Sequence, residues 1–322
     1  MCSNIDRMRG RDGVPVVSVV VPTIGRPELL RALRSVRAQR TSARIELIVV
    51  HDGADGIELP AEVYELSDSV IRTSGRLGGS RARNLGIEHA SGEVVALLDD
   101  DDEWLPNKVD IQLSLLKGAT DPARTVIAGR QICVSPGDAS VFRPGPDRLI
   151  RPGEPVEHYL FRHRSPSGGR PVIYTSTLLC SRSMAVEVPW DESLARHQDW
   201  DWLIRLGRLH GAEIIQAPEP VSKIFLGSAS SISATTDWRA SLEWADRMLK
   251  ADAAVYADFL VAQPLRYALT ARSWVGVRTV LAALRSCKRL PAAGPAAIGL
   301  AGILPRREFE RMTVRIGGIR SR

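Results

Sequence analysis

Apolar runs and helically spaced apolar positions alternate along the first third of the chain. Residues 16–21, Val-Val-Ser-Val-Val-Val, are mostly β-branched and predict a strand ending at Pro22-Thr23-Ile24-Gly25-Arg26. Pro27 suits a first helical turn, and Leu29, Leu33 and Val36 recur at helical spacing behind it. Ile45 to Val50 predicts a second strand, closed by His51-Asp52-Gly53, and Val70-Ile71 a short third. Gly75, Gly78 and Gly79 form a loop that leads into a helix over 80–89. A further strand, Val94 to Leu98, is followed by a helix over 107–117. Strand–helix alternation predicts an α/β fold with a doubly wound, mostly parallel sheet. Such sheets bind ligands at the carboxyl ends of their strands, and Thr23, Asp52 and Asp99–Asp102 fall there.

Beyond that the pattern loosens. Residues 135–170, rich in Pro, Gly and Arg, read as irregular loops; Val172 to Leu179 reads as extended and Trp200 to His210 as a helix. The Ser/Thr-rich stretch 228–236 reads as a linker. Residues 237–322 read as helices broken at Pro264, Pro291, Pro295 and Pro305. The expected organisation is a catalytic α/β domain over 1–227 and a helical region over 228–322.

Composition adds bounds. The chain has 322 residues, 44% hydrophobic and 25% charged, which suits an ordinary globular protein. The polar start, 1–13, lacks the apolar core of a signal peptide, and 290–304 is too short to span a bilayer. The expectation is a cytoplasmic protein, soluble or peripheral at the inner face of the membrane. Cys2, Cys133, Cys180 and Cys287 show neither disulfide-framework nor zinc-type spacing. The net charge of +6 is concentrated late: from Asp237 onward there are 15 basic and 7 acidic residues.

The chemistry centres on Asp99, Asp100, Asp101 and Asp102, which end the apolar run Val94–Leu98. Packing four carboxylates costs repulsion, and a hard cation such as Mg²⁺ or Mn²⁺ is the usual remedy at such a place. The plainer alternative is a solvated acidic loop whose last carboxylate caps the next helix. The Gly75–Asn84 segment puts Arg81 and Arg83 beside a helix start, suited to a diphosphate, although a surface turn would read the same way. It is neither a Walker loop nor a dinucleotide fingerprint. Asp52 reads as a ligand for a base or ribose, or as a turn-forming residue.

Taken in order, these segments resemble family 2 glycosyltransferases, the inverting group with a GT-A nucleotide-sugar-binding fold. The matching stretches are Val19–Thr23, Leu47–Gly53, Gly78–Asn84, Leu97–Trp104, Pro189–Glu192 and His197–Leu206. The resemblance implies that Asp52 contacts the nucleobase, Thr23 helps hold the nucleotide and Arg83 lies by the diphosphate. Asp99 and Asp101 become the pair that binds Mg²⁺ or Mn²⁺, with Asp99 also on the nucleotide-sugar, and Asp199 the general base. His51, Arg76 and Gln198 depart from the family's usual Asp, Asn and acidic residue. The implied partners are a nucleotide-diphosphate sugar and a hydroxyl acceptor (glycan, glycolipid or small molecule), with no nucleic acid. No Gln-x-x-Arg-Trp motif follows the base, which favours single transfer over processive synthesis. The rival readings are a non-catalytic glycan- or nucleotide-binding partner subunit and a sugar nucleotidyltransferase.

Two further segments have competing readings. Trp190, Trp200 and Trp202 form either a sugar-stacking wall or core. Trp274, Val277, Leu281 and Leu284 make one apolar helical stripe, and Arg278, Arg285 and Arg289 a separate basic one. That helix either packs on the catalytic domain or lies on an anionic bilayer.

Overall fold

The computed structural model describes residues 16–134, 144–162, 171–226 and 236–303. Eight strands form one sheet: β1 Val16–Thr23, β2 Arg44–His51, β3 Ser69–Arg72, β4 Val94–Leu97, β5 Glu103–Trp104, β6 Thr125–Val134, β7 Leu179–Ser181 and β8 Glu213–Phe225. Their order is β3-β2-β1-β4-β7-β6-β8-β5. The half made of β3, β2, β1 and β4 is parallel, as the alternation predicts. In the other half β7 runs antiparallel to both β4 and β6, and β5 antiparallel to β8. The sheet is therefore mixed, and the long strands β6 and β8 had no clear signal in the hydrophobic pattern.

The parallel half shows why these runs become strands. Val17, Val19 and Val21 of β1, with Leu47 and Val49 of β2, face one apolar layer. Val20, Ile48 and Val50 face the other. A period of two with both faces covered produces the continuous apolar runs seen in the sequence. The first layer is closed by α1 (Leu29–Arg37), α2 (Ala61–Leu66) and α4 (Lys108–Gly118). The second is closed by α3 (Gly79–His89), α5 (Val156–Phe161), α6 (Arg182–Glu187) and α7 (Gln198–Gly207).

The C-terminal helices are α8 (Trp238–Met248), α9 (Ala253–Leu260), α10 (Arg266–Thr270), α11 (Trp274–Ser286) and α12 (Ala293–Leu300). They join the second layer directly. Phe161 meets Trp200 at 5.1 Å and Phe259 at 4.9 Å, and Trp244 meets Phe259 at 5.1 Å. Pro264 does not break its helix as expected; a π-helical turn over Val261–Leu265 absorbs it between α9 and α10. Pro295 sits in the first turns of α12, where its missing N–H costs little. The expected linker 228–236 lies almost wholly outside the described residues.

Candidate active site

Chain order around β1 sets the site. From β1 the chain winds outward to β2 and β3, then crosses back to β4 on the other side of β1. The crevice at this reversal opens between the ends of β1 and β4, where Thr23 and the aspartate run lie. The Thr23 hydroxyl donates to Asp100 at 2.6 Å and accepts from the Gly25 amide. Thr23, only 3% exposed, thus ties the two strand ends together.

The four aspartates divide by direction. Asp100 and Asp102 turn inward: Asp102 accepts from the Ser176 hydroxyl at 2.5 Å and from the Phe225 amide at 3.1 Å. Asp99 and Asp101 keep part of their carboxyl surface exposed, 33% and 21%. Asp99 pairs with Arg83 at 2.6 Å, and Asp101 with Arg26 at 2.6 Å. Burial pushes the Asp100 carboxyl up to about 6, against the opposing pull of Thr23 and Arg26. Burial and then the Asp99 charge also raise Asp101. Among the described residues no three metal-ligating side chains converge into an all-protein cage. A magnesium-type ion needs only one or two carboxylates plus substrate phosphates, and the oxygen-only pair Asp99 and Asp101 meets that demand.

Asp52, at the end of β2, is 4% exposed and holds the glycine-rich loop. Its carboxylate accepts from the Thr73 hydroxyl at 2.5 Å and from the Leu77 and Gly78 amides at 2.9 and 2.7 Å. The loop needs left-handed backbone at Gly75 and Gly78, with φ of 88° and 95°. Beside it, His51 is buried with neither ring nitrogen partnered among the described residues, and a Cβ at Gly53 would lie 2.4 Å from its Nε2. Burial, then the Arg72 charge, hold His51 below the usual imidazole range, so it packs as a neutral ring.

The loop delivers α3, and α3 delivers Arg83. Its guanidinium lies 4.7 Å from the Trp190 ring centroid, with Gln198 Oε1 at 3.5 Å. Arg81 pairs with Glu192 at 3.2 Å and is not among the residues that line the cleft. Gln198 opens α7, whose first turn carries two carboxylates with different fates. Asp201 is 1% exposed, bound by Trp244 Nε1 at 3.0 Å and Arg205 at 2.7 Å. Asp199 lines the open cleft. Burial pushes its carboxyl up to about 6, although the Trp200 amide and the Arg83 charge favour the ionised form.

One cleft of about 410 Å³ brings Thr23, Asp52, Arg83, Asp99, Asp101 and Asp199 together. Three buried N–H donors on its wall have no partner among the described residues: Arg83 Nε, Trp190 Nε1 and Arg196 Nε. Donors without acceptors suit an oxygen-rich ligand. Of the three tryptophans, Trp190 and Trp200 border the cleft. Trp202 is fully buried and stacks on Trp190 at 4.5 Å, so it belongs to the core. Sequence reasoning missed Arg26, Arg196, Tyr174 and Tyr267, which also line the cleft. Arg26 follows directly on the β1 end and could have been weighed there; Tyr267 comes from α10 and carried no signal.

Residues 18–155 match the family described as glycosyl transferase family 2. The amylovoran biosynthesis glycosyltransferase AmsB of Erwinia amylovora is 29% identical over 270 residues, spanning 80% of this chain and 86% of AmsB. WfgD of Escherichia coli, described as a UDP-Glc:alpha-D-GlcNAc-diphosphoundecaprenol beta-1,3-glucosyltransferase, is 33% identical over 31% of this chain and 41% of its own length. TarS residues 1–349 of S. aureus, solved in complex with UDP-GlcNAc, superpose with a TM-score of 0.58 at 14% identity, over 94% of this chain and 90% of that one. The TarS likeness establishes the GT-A fold, and the sequence relatives establish the kind of enzyme. Residues 18–155 thus carry the glycosyl transferase family 2 match, and the sequence relatives of the chain are glycosyltransferases.

Proposed function

We propose that the chain transfers one sugar, with inversion, from a nucleotide-diphosphate sugar to a hydroxyl acceptor, using Asp199 as general base. The observation that carries this reading is the convergence on one cleft of six residues drawn from β1, β2, α3, the β4 end and α7. The acceptor hydroxyl gives its proton to Asp199 while its oxygen bonds to the anomeric carbon. The bond from that carbon to the donor diphosphate breaks on the opposite face. A carboxylate raised to about 6 is still ionised at neutral pH, yet more basic than a solvated one. Arg83 offers its guanidinium to the departing diphosphate, and Asp99 and Asp101 would hold Mg²⁺ or Mn²⁺. When bound, that cation would neutralise charge on the diphosphate. Asp52 lines the cleft while bracing the loop, which supports its reading as a contact to the nucleobase. TarS is solved with UDP-GlcNAc and WfgD is described as using UDP-Glc, so uridine is the first nucleotide to test.

Two variants test the scheme. Asp199→Asn should retain donor affinity and lose transfer by about 10²–10⁴-fold, the usual worth of a positioned base. Asp101→Asn should lose metal-dependent donor binding, measured by thermal shift with UDP-sugars with and without Mn²⁺. Full transfer by the Asp199→Asn variant would sink the base assignment; full activity in excess chelator would sink the metal.

We also propose that the helical region makes peripheral contact with an anionic bilayer. Trp274, Leu290, Leu300 and Ile303 are 77%, 90%, 61% and 68% exposed. Arg278, Arg285, Lys288 and Arg289 of the same helical region are exposed and form no ion pair among the described residues. Exposed apolar groups and unpaired cations in one region complement an anionic interface.

A further inference from the structure

Arg196 is the oddest charge in the cleft. It immediately precedes the α7 N-cap, His197, and is only 6% exposed. Its Nη1 donates to the Asp237 carbonyl at 3.3 Å, and its guanidinium lies 4.3 Å from the Tyr267 ring centroid. Its Nε is buried without a partner, and no carboxylate pairs with it among the described residues. A second guanidinium, that of Arg266, lies 4.7 Å from the same Tyr267 ring.

A buried guanidinium with no carboxylate is costly, and cores normally pair or replace such a charge. Stacking on one tyrosine and capping one carbonyl offset only part of that cost. The unpartnered Nε belongs to a residue that lines the cleft together with Asp199. Asp99, Arg83 and Asp101 account for the donor diphosphate on the β4 and α3 side. Arg196 and Tyr267 lie on the wall contributed by the α7 start and the helical region.

We propose that Arg196, stacked on Tyr267, is an anion subsite for the acceptor: the molecule glycosylated here carries a phosphate or carboxylate group close to its reacting hydroxyl. The proposal rests on Asp199 marking the acceptor side. It also gives the helical region a role in the reaction, since α10 supplies the platform on which the arginine lies.

The full chain is tested by calorimetry with three probes: glucose 1-phosphate, glucuronate and neutral methyl glucoside. An anionic probe should bind about 10–100-fold more tightly than methyl glucoside, the usual effect of one charge-assisted hydrogen bond. A stronger response to glucose 1-phosphate assigns a phosphorylated acceptor, and a stronger response to glucuronate an acidic sugar. Arg196→Gln should abolish the preference and Arg83→Gln should keep it. Should Arg196→Gln fail to fold, Arg196→Lys should weaken the preference while retaining its sign. UDP binding, measured separately, should survive Arg196→Gln. Loss of UDP binding by the wild-type chain would remove the donor reading alone, because the three-probe comparison does not depend on it. The subsite is overturned if the wild type shows no anion preference, if the preference survives Arg196→Gln or is undiminished in Arg196→Lys, or if only Arg83→Gln removes it.

Discussion

Two carboxylates in one helical turn show how much a residue's surroundings decide. Asp199 and Asp201 both open α7 and both gain from its dipole. Asp201 is enclosed by Trp244 and Arg205 and serves packing. Asp199 faces the cleft with its carboxyl raised to about 6 by burial. A base must be ionised, so kcat/KM should fall as pH drops through about 6 and level off above it. The sign for stability is opposite. A carboxyl whose folded pKa exceeds its unfolded one stabilises the fold at low pH, and that contribution is lost as pH rises from about 4 through about 6. Asp199→Asn should therefore melt above wild type at neutral pH, with the gap closing near pH 4, as read by thermal melts across that range. A melting gap that does not change with pH would mean that the carboxyl is not desolvated in the way described.

At the scale of the element, α3 is the part whose placement matters most, because it carries Arg83 into the cleft. The helix approaches β1 closely at Gly86, where an added Cβ would fall 2.3 Å from a Val20 methyl carbon. Alanine is ordinarily favoured over glycine in a helix by about 1 kcal/mol. Here Val20 is a fully buried strand residue with no room to yield, and overpacking of this kind costs about 1–3 kcal/mol. Gly86→Ala should therefore destabilise in urea unfolding and weaken donor binding, as α3 shifts away from the strand ends. Gly118→Ala, at the exposed end of α4 with open space around it, is the control and should be neutral or stabilising. A stabilised Gly86→Ala protein with normal donor affinity would mean that the contact with Val20 does not set the helix.

For the whole molecule, one core runs from the sheet into the helical region. Trp238, Trp244, Tyr256 and Phe259 belong to the same cluster as Val20, Ile48 and Trp202. The C-terminal helices thus complete the enzyme's second layer and present their other side outward. On α11, Gly276, Val280 and Leu284 face the core, whereas Trp274, expected on the apolar stripe, is exposed. The helix packs on the enzyme and still leaves its arginines to solvent. None of the described helices is long and apolar enough to cross a membrane. Co-sedimentation with vesicles should increase with anionic lipid content and fall with salt, whose screening length is about 8 Å at physiological strength. Binding that ignores lipid charge would reduce α11 to a packing helix.

The sequence by itself determined the parallel half of the sheet and the places where chemistry would gather. Strands covered on both faces leave unbroken β-branched runs, and Thr23, Asp52 and Asp99–Asp102 stand at their ends because the chain must turn there. Order along the chain was enough to bring family 2 into view. Only the tertiary structure could divide the aspartate run into inward Asp100 and Asp102 and outward Asp99 and Asp101. The structure also set Asp199, which the resemblance had already singled out, at the cleft and Asp201 in the core, and moved Trp202 into the core and Trp274 to the surface. The strands β6 and β8 stayed hidden because mixed pairing gives no simple alternation. Arg196 and Tyr267 were illegible for a stronger reason. They are 71 residues apart by number, and their contact exists only once α10 folds back over the start of α7. Local physics writes its periodicities into sequence, whereas long-range packing decides which of the resulting side chains meet.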